Sequence, residues 1–562
     1  MKARLWQLGL IICFVFLSSK AYLSTSFPYT HDGENHLARF ANYAIAIKEG
    51  QIPPRRGPNL LNHYGYPVFN FNYPLANIIS IPFSALKFNY ETTFKIQVIL
   101  AFAILGWATL RWMAKLNLST PLSQIGVLVG LWAQPYLISV TTYRGSIGEL
   151  WALVLAVGLM GSLTPRLKNR DQIFTSHWLE IGIWWTSLML SHNVSALLGT
   201  ALAISFVLVQ LLWLKKNERI KYLKIVLIAF LLAIAYSLWF WLPALAEKSS
   251  IVIDAAQSLN QTRLHLVSLP QLLFSPLQFG YSVIGSVDTL GFSIPTYLIL
   301  ANLAIVVLIF KHRHHLSKFL LINLSFFCLV FICAFVLQLN QTAWVWQNIN
   351  LLNYLQFPWR LSWLIAIASV PLVASFISHV VGKWKLVFWG LLLIFGWFAF
   401  QAKPLERFHK SKIEYDLFSQ STSTQHENMP RDFTYSEIAS WQPGPSLLDG
   451  SAEVLVHKWS GSTHMYAVKA FSAVTLVEPT AWWLGWMTYV NGQQVSNHGL
   501  DATQGRIGFK LAEGSYEVKT VFTQFTWPRI MGNSVSLFSL LLTTIIVIKL
   551  CIHKPVQNEF KN

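Results

Sequence analysis

Charge is what this chain has least of. Lys, Arg, Asp and Glu make up 12% of its 562 residues, about half the share of an ordinary soluble domain, which excludes a conventional water-facing surface over most of its length. Acidic residues are the scarcer sign, 24 Asp and Glu against 42 Lys and Arg, for a net charge of +18. In a soluble protein such an excess points to nucleic acid. Here the cations stand in short clusters between apolar runs and make no continuous basic face, so nucleic acid is excluded as a partner. Cysteine is also sparse: Cys13, Cys328, Cys333 and Cys551 all lie inside apolar runs, with no CxxC pair. That excludes an external disulfide framework and a thiolate metal site. What is abundant is apolar: 54% hydrophobic and 14% aromatic.

Runs of about 20 apolar residues are what a helix needs to cross a bilayer. They occur near 5–24, 94–113, 122–140, 147–163, 178–192, 194–214, 225–245, 294–310, 318–338, 359–380, 386–402 and 533–551. The first has the form of a signal peptide, with Ser19-Lys20-Ala21 as its cleavage site. We read it as an uncleaved helix, because the rest of the chain is equally apolar. Cation clusters at Arg166, Lys168 and Arg170, at Lys215 to Lys224, at Lys311, Arg313 and Lys318, at Lys383 and Lys385, and at Lys549, Lys554 and Lys561 then all face the cytoplasm. The segment 73–88 is apolar but holds Pro74 and Pro82, and counting it as a crossing would invert every later loop. It is expected to lie at the outer interface or to re-enter.

The expected fold is therefore a polytopic α-helical membrane protein of about twelve crossings. A transmembrane domain fills 1–402 with a first outer loop at 25–93; 403–449 is a linker and the start of a soluble region. Residues 450–530 form an extracytoplasmic β-rich domain, and 531–562 a last helix and cytoplasmic tail. The β-rich reading rests on alternation at Ala452–His457 and Met465–Lys469, and on Trp486–Val490 running into Asn491-Gly492, a strong hairpin signal. Short strands at this spacing make a small β-sandwich. Trp482, Trp483 and Trp486 suit a core or an interface, and also the stacking of a sugar ring.

Polar chemistry is concentrated in outer loops. Tyr29-Thr30-His31-Asp32-Gly33-Glu34-Asn35-His36 comes directly after the first helix, with Asp32 and His36 one helical turn apart. Asp32, Glu34 and His36 carry the donors that a divalent metal takes, or a general base. Thr30 or Asp32 as a helix cap accounts for the same pattern. Arg144 and Glu149 sit at the outer end of an apolar helix, where charge is costly unless paired or functional. His192 lies in a turn at the same level, and Arg360 starts another helix beside Trp359. Arg55 and Arg56, in the first outer loop, are available to a phosphate. Membrane lipids are the partners implied throughout.

Asp32-Gly33-Glu34-Asn35-His36, Gly50 to Arg55, Tyr64-Gly65-Tyr66-Pro67, Tyr143-Arg144-Gly145 through Glu149, Ser191-His192-Asn193 and Phe357-Pro358-Trp359-Arg360 resemble bacterial membrane proteins labelled 6-pyruvoyl-tetrahydropterin synthase-related. The Gly485–Gly492 hairpin and final helix are similar to the end of YfhO-type proteins. In layout these resemble GT-C glycosyltransferases of the cytoplasmic (inner) membrane. That resemblance implies a polyprenyl-phosphate-linked sugar donor, Asp32 as catalytic base or metal contact with Glu34 as its partner, and Arg55, Arg56, Arg144 and Arg360 toward the lipid phosphate. His36, Glu149 and His192 join the substrate-binding set. The rival expectation is a non-enzymatic transporter or assembly factor for envelope glycopolymers.

Overall fold

The computed structural model describes residues 2–165, 177–252, 262–285, 288–312, 314, 316–423, 426–434 and 441–552. Arg166, Lys168, Arg170, Arg313, Thr424, Lys554 and Lys561 lie outside the described residues.

Each apolar run forms a helix, and seven helices are long and apolar enough to cross a bilayer, or up to eight if one bent pair is a single span. Tyr90–Lys115 starts at Asn89, whose side chain accepts from the Glu91 amide at 3.1 Å; that cap satisfies one of the orphan donors of the first turn. The bent pair is Pro121–Trp132 with Pro135–Tyr143, inclined by 51°. Pro135 has no amide hydrogen to carry the first helix on, and the second piece ends in a π-turn, Ser139–Tyr143. Leu75–Ala85 is 11 residues long with Pro82 inside. It spans about 16 Å at 1.5 Å per residue, half of what a crossing needs.

Ile147–Leu163 is the centre of the bundle. All of its residues are buried, as befits a helix that is apolar on every side. Gly158 lies so close to Trp184 that an added Cβ would come within 2.5 Å of the ring. The first turn of this central helix carries Glu149, so a carboxylate is driven into the protein interior at one end of the bundle.

Two short strands, β1 (Phe27–Pro28) and β2 (Arg407–Phe408), pair antiparallel. Eight more come later in the chain: β3 (Ser446–Asp449), β4 (Ala452–Ser460), β5 (Thr463–Ala470), β6 (Val474–Ala481), β7 (Trp486–Val490), β8 (Gln493–Val495), β9 (Arg506–Leu511) and β10 (Gly514–Phe522). They make a five-stranded sheet in the order β4-β5-β10-β7-β8 and a three-stranded sheet in the order β3-β6-β9. Tyr466, Val468, Leu476, Phe509 and Val518 fill the space between the sheets. All the pairings are antiparallel.

Within the stretch 403–449, read as a linker and the start of a soluble region, Lys410 and Tyr415 dock on the helix Tyr90–Lys115. Tyr415 is fully buried and donates to Glu91 Oε1 at 3.2 Å, while the Lys410 amide donates to the same oxygen at 2.7 Å. Its polar composition serves pairing with the start of the Tyr90–Lys115 helix.

Candidate functional site

The loop before the helix Gly33–Lys48 is held by the backbone of the π-turn. The His31 amide donates to the Tyr143 carbonyl at 3.1 Å and the Asp32 amide to the Arg144 carbonyl at 2.8 Å. Gly145 makes this approach feasible: its φ is +62°, and a Cβ there would lie 2.4 Å from Thr30 Oγ1. Thr30 Oγ1 accepts from the Gly33 amide at 3.0 Å and so caps the helix. Asp32 occupies the cap position without a side-chain bond to the helix, which leaves its carboxylate to face Arg144.

Glu149 is the hub. Its carboxylate, 1% exposed, accepts from Arg144 Nη1 at 2.6 Å and Nη2 at 2.9 Å. Arg360 Nε stands 3.3 Å away, His192 Nε2 3.8 Å away, and the Tyr136 hydroxyl donates at 3.4 Å. Arg144 Nη2 then lies 3.8 Å from Asp32 Oδ2, whose side chain keeps 40% of its exposure. The chain of contacts runs from the interior out to Asp32. Asp32 is the member of the group that water reaches most freely.

His192 Nδ1 accepts from the Ser195 amide at 3.3 Å, which caps the helix Asn193–Gln210. In the neutral ring this puts the proton on Nε2, toward Glu149. Trp359 lies under the Arg144 guanidinium at 4.7 Å. Tyr73 meets His192 edge-on at 4.9 Å and stands 6.2 Å from His36, which is buried.

Although water reaches one side of it, the protein packed around the Asp32 carboxyl strips enough solvent to hold it above its ordinary pKa, with Arg144 pulling it back only in part. Burial and then Arg144 push His31 down to about 4, so it is neutral at physiological pH. His36 is likewise held well below its ordinary value, by burial first and Arg39 second.

The structure thus brings together Asp32, Arg144, Glu149, His192 and Arg360, from distant stretches of chain. His36 lies behind Tyr73, buried at the edge of this group, and Glu34, Arg55 and Arg56 are not brought in. Glu34 forms an ion pair with Lys410. Arg55 donates to Gln524 Oε1 at 3.1 Å, the Trp239 carbonyl at 2.9 Å and Asn533 Oδ1 at 3.0 Å. Arg56 donates to the Gly461 carbonyl and, at 2.9 Å, to the Tyr64 carbonyl. Both guanidiniums are buried joints between the loop after the helix Gly33–Lys48 and the C-terminal part of the chain. Among the described residues no group of three or more His, Cys, Asp or Glu could hold a metal ion, so Asp32, Glu34 and His36 do not form the cluster that their spacing allows.

Tyr136 and His31 are site residues that spacing did not single out. The ring of His31 stacks on Tyr281 at 4.5 Å and meets Phe279 at 4.6 Å. Next to this centre is a cavity of about 1000 Å³, lined by Pro135, Tyr143, Leu277, Phe279, Phe395 and Phe398 among others. Its walls are mainly apolar, and it comes up to the residue before Arg144.

No protein-family model matches the chain, and no curated protein matches it at a significant level.

Proposed function

We propose that this chain is a GT-C-type glycosyltransferase of a bacterial cytoplasmic membrane, moving a sugar from a polyprenyl-phosphate donor to an acceptor hydroxyl at the outer face. The observation that carries the reading is a buried Arg144–Glu149–Arg360 cluster, with Asp32 at its wet edge, beside an apolar cavity large enough for part of a lipid chain. Twelve crossings with both ends inside accord with the helices: seven full-length spans, the bent pair, and the shorter helices Arg4–Ser18, Ile147–Leu163, His177–Ser191 and Thr296–Lys311. This topology puts the cluster and the β-sandwich on the outer side.

The chemistry comes from charge. Two guanidiniums and two carboxylates make the cluster neutral at rest. Asp32 takes the proton of the acceptor hydroxyl as its oxygen attacks the anomeric carbon; the bond from that carbon to the phosphate oxygen breaks, and the phosphate leaves with the electron pair. Loss of the Asp32 charge leaves the cluster with a net positive charge at the moment the leaving group gains negative charge. Preorganised cations in a site shielded from water stabilise such a charge strongly. Glu149 keeps the guanidiniums aimed and takes no proton itself.

The test is label transfer in vesicles, from a polyprenyl-phosphate sugar to acceptors in a cell-envelope extract. Asp32→Asn and Asp32→Ala are expected to abolish transfer while the folded protein persists; full transfer by both would remove Asp32 from the mechanism. The second reading, a transporter or assembly factor, is favoured by the 51° break between two half-helices, a feature of transporter binding sites. Movement of a lipid-linked glycan across the vesicle wall without covalent change would select it.

A further inference from the structure

The stretch 266–295 belongs to an outer loop in this topology, yet Asp288 is its one charged residue. That charge is turned onto the loop's own backbone, with Asp288 Oδ1 accepting from the Val283 amide at 2.6 Å. Meanwhile large apolar side chains point outward: Phe274 is 75% exposed, Ile284 60% and Tyr281 56%. A water-facing loop of this length ordinarily carries several charged side chains, and exposed apolar side chains gathered in one segment mark a contact with lipid or with a partner.

The two described arms of the segment lie close together. The Gly280 Cα lies so close to the opposite arm that a Cβ would meet the Thr289 carbonyl at 2.3 Å, and at Gly291 a Cβ would meet the Pro276 carbonyl at the same distance. Its inner side is fixed to the site. The Tyr143 hydroxyl donates to the Leu277 carbonyl at 3.2 Å, and Phe279 and Tyr281 hold His31 between them. Another side, through Leu273 to Phe279, lines the large cavity opposite Phe395 and Phe398 of the helix Lys383–Gln401. That helix exposes Leu393, Trp397 and Phe398 outward, so the apolar surface of the loop continues the flank of an apolar span.

We propose that residues 269–285 sit in the outer leaflet, with phospholipid acyl chains as their partner, so that the cavity beside Asp32 opens sideways into the bilayer. The inference rests on the membrane reading and not on the transferase reading. Acyl chains are the fitting occupant because residues 269–285 contain no Lys, Arg, Asp or Glu and the surface joins a helix already apolar along its outer flank.

The test is spin-label accessibility in phosphatidylethanolamine–phosphatidylglycerol vesicles, using the full chain with its natural cysteines replaced. Labels go on Ile284→Cys and Phe274→Cys, with Leu393→Cys as the helix-flank reference and Gln494→Cys as the reference on the β-domain. Contact with the leaflet is expected to give positions 284 and 274 an oxygen accessibility several-fold above that to a water-soluble nickel complex, as at 393 and unlike 494. If 284 and 274 behave like 494 while 393 stays lipid-exposed, the loop stands in water and the proposal fails, with the membrane reading intact. If 393 also behaves like 494, both fail together.

Discussion

Two carboxylates that share one guanidinium do opposite work. Glu149 is buried and holds two guanidiniums; Asp32 is partly open and touches one. Removing one member of a buried ion cluster strands the rest, at a cost of about 3–5 kcal/mol. Glu149→Ala is therefore expected to lower the thermal unfolding midpoint in detergent sharply, while Asp32→Asn, at the wet edge, changes it little. Equal shifts for the two would mean that Glu149 is not the hub. On the transferase proposal the pH dependence is set by Asp32. The surrounding protein raises its pKa, and the proposed transfer needs the ionised form, so the rate should fall as pH drops through a value above the ordinary carboxylate pKa of about 3.9. The linkage has the same origin: the folded carboxyl holds its proton more tightly than the unfolded one, so its contribution to stability is full below the unfolded pKa and is lost as pH rises through the folded one. An acid limb of kcat/KM lying at the ordinary value would separate Asp32 from proton transfer.

At the scale of elements, the site depends on a close crossing of backbones. Gly145 meets the Thr30–Gly33 turn, and Gly148, in the first turn of the central helix, leaves no room for a Cβ, which would come within 2.3 Å of the Tyr73 ring and 2.8 Å of the Ser191 carbonyl. Gly145→Ala must adopt a left-handed backbone and also push Thr30 away, at about 1–3 kcal/mol for the strain. The expected result is a lower unfolding midpoint together with a weaker Asp32 response, since the Asp32 amide is bonded to the Arg144 carbonyl. A variant with unchanged stability and transfer would mean the crossing is loose. These elements also show how much the sequence disclosed. Hydropathy located each apolar helix, because burial needs an apolar run, but not every end: Lys216–Ala246 begins well before the run at 225–245, Lys2–Ser18 stops short of 24, and 122–140 is a broken pair; Asn491-Gly492 marked the β7–β8 turn because that hairpin needs positive φ. Asp32, Arg144, Glu149, His192 and Arg360 were each visible as polar groups at the ends of apolar runs. Their partners were not. Spacing groups Glu34 with Asp32, but its charge goes to Lys410; Arg55 and Arg56 look free for a phosphate in the sequence because most of their acceptors lie hundreds of residues further along the chain. Pairings of such long range leave no periodic mark in either segment.

At the scale of the whole molecule, those arginines become the joint between the helical part and the β-sandwich. The turn between β4 and β5 enters the loop that follows the helix Gly33–Lys48: the Gly461 amide donates to Glu49 Oε1 at 3.0 Å, and the Ser462 hydroxyl donates to Glu49 Oε2 at 3.1 Å and accepts from Gln51 at 2.8 Å. Arg56 closes the joint from below, its guanidinium 4.8 Å over the Trp486 ring. Beside it, Glu247 and Arg529 pair at 3.0 Å and tie the Lys216–Ala246 helix to the last one. Arg56→Ala takes its donor from the Gly461 carbonyl, while the Tyr64 carbonyl keeps the Ala481 amide at 2.9 Å; a buried acceptor left unpaired costs about 1–3 kcal/mol. Amide exchange at 460–463 is expected to quicken and the unfolding midpoint to fall. Transfer at temperatures where the protein stays folded should change little, because the N-terminal end of the helix Gly33–Lys48 is held separately, by the backbone of Tyr143 and Arg144. If transfer instead collapses in a folded Arg56→Ala protein, the β-sandwich acts on the Asp32 end of that helix through its far end, and the domain belongs to the working site as well as to the architecture.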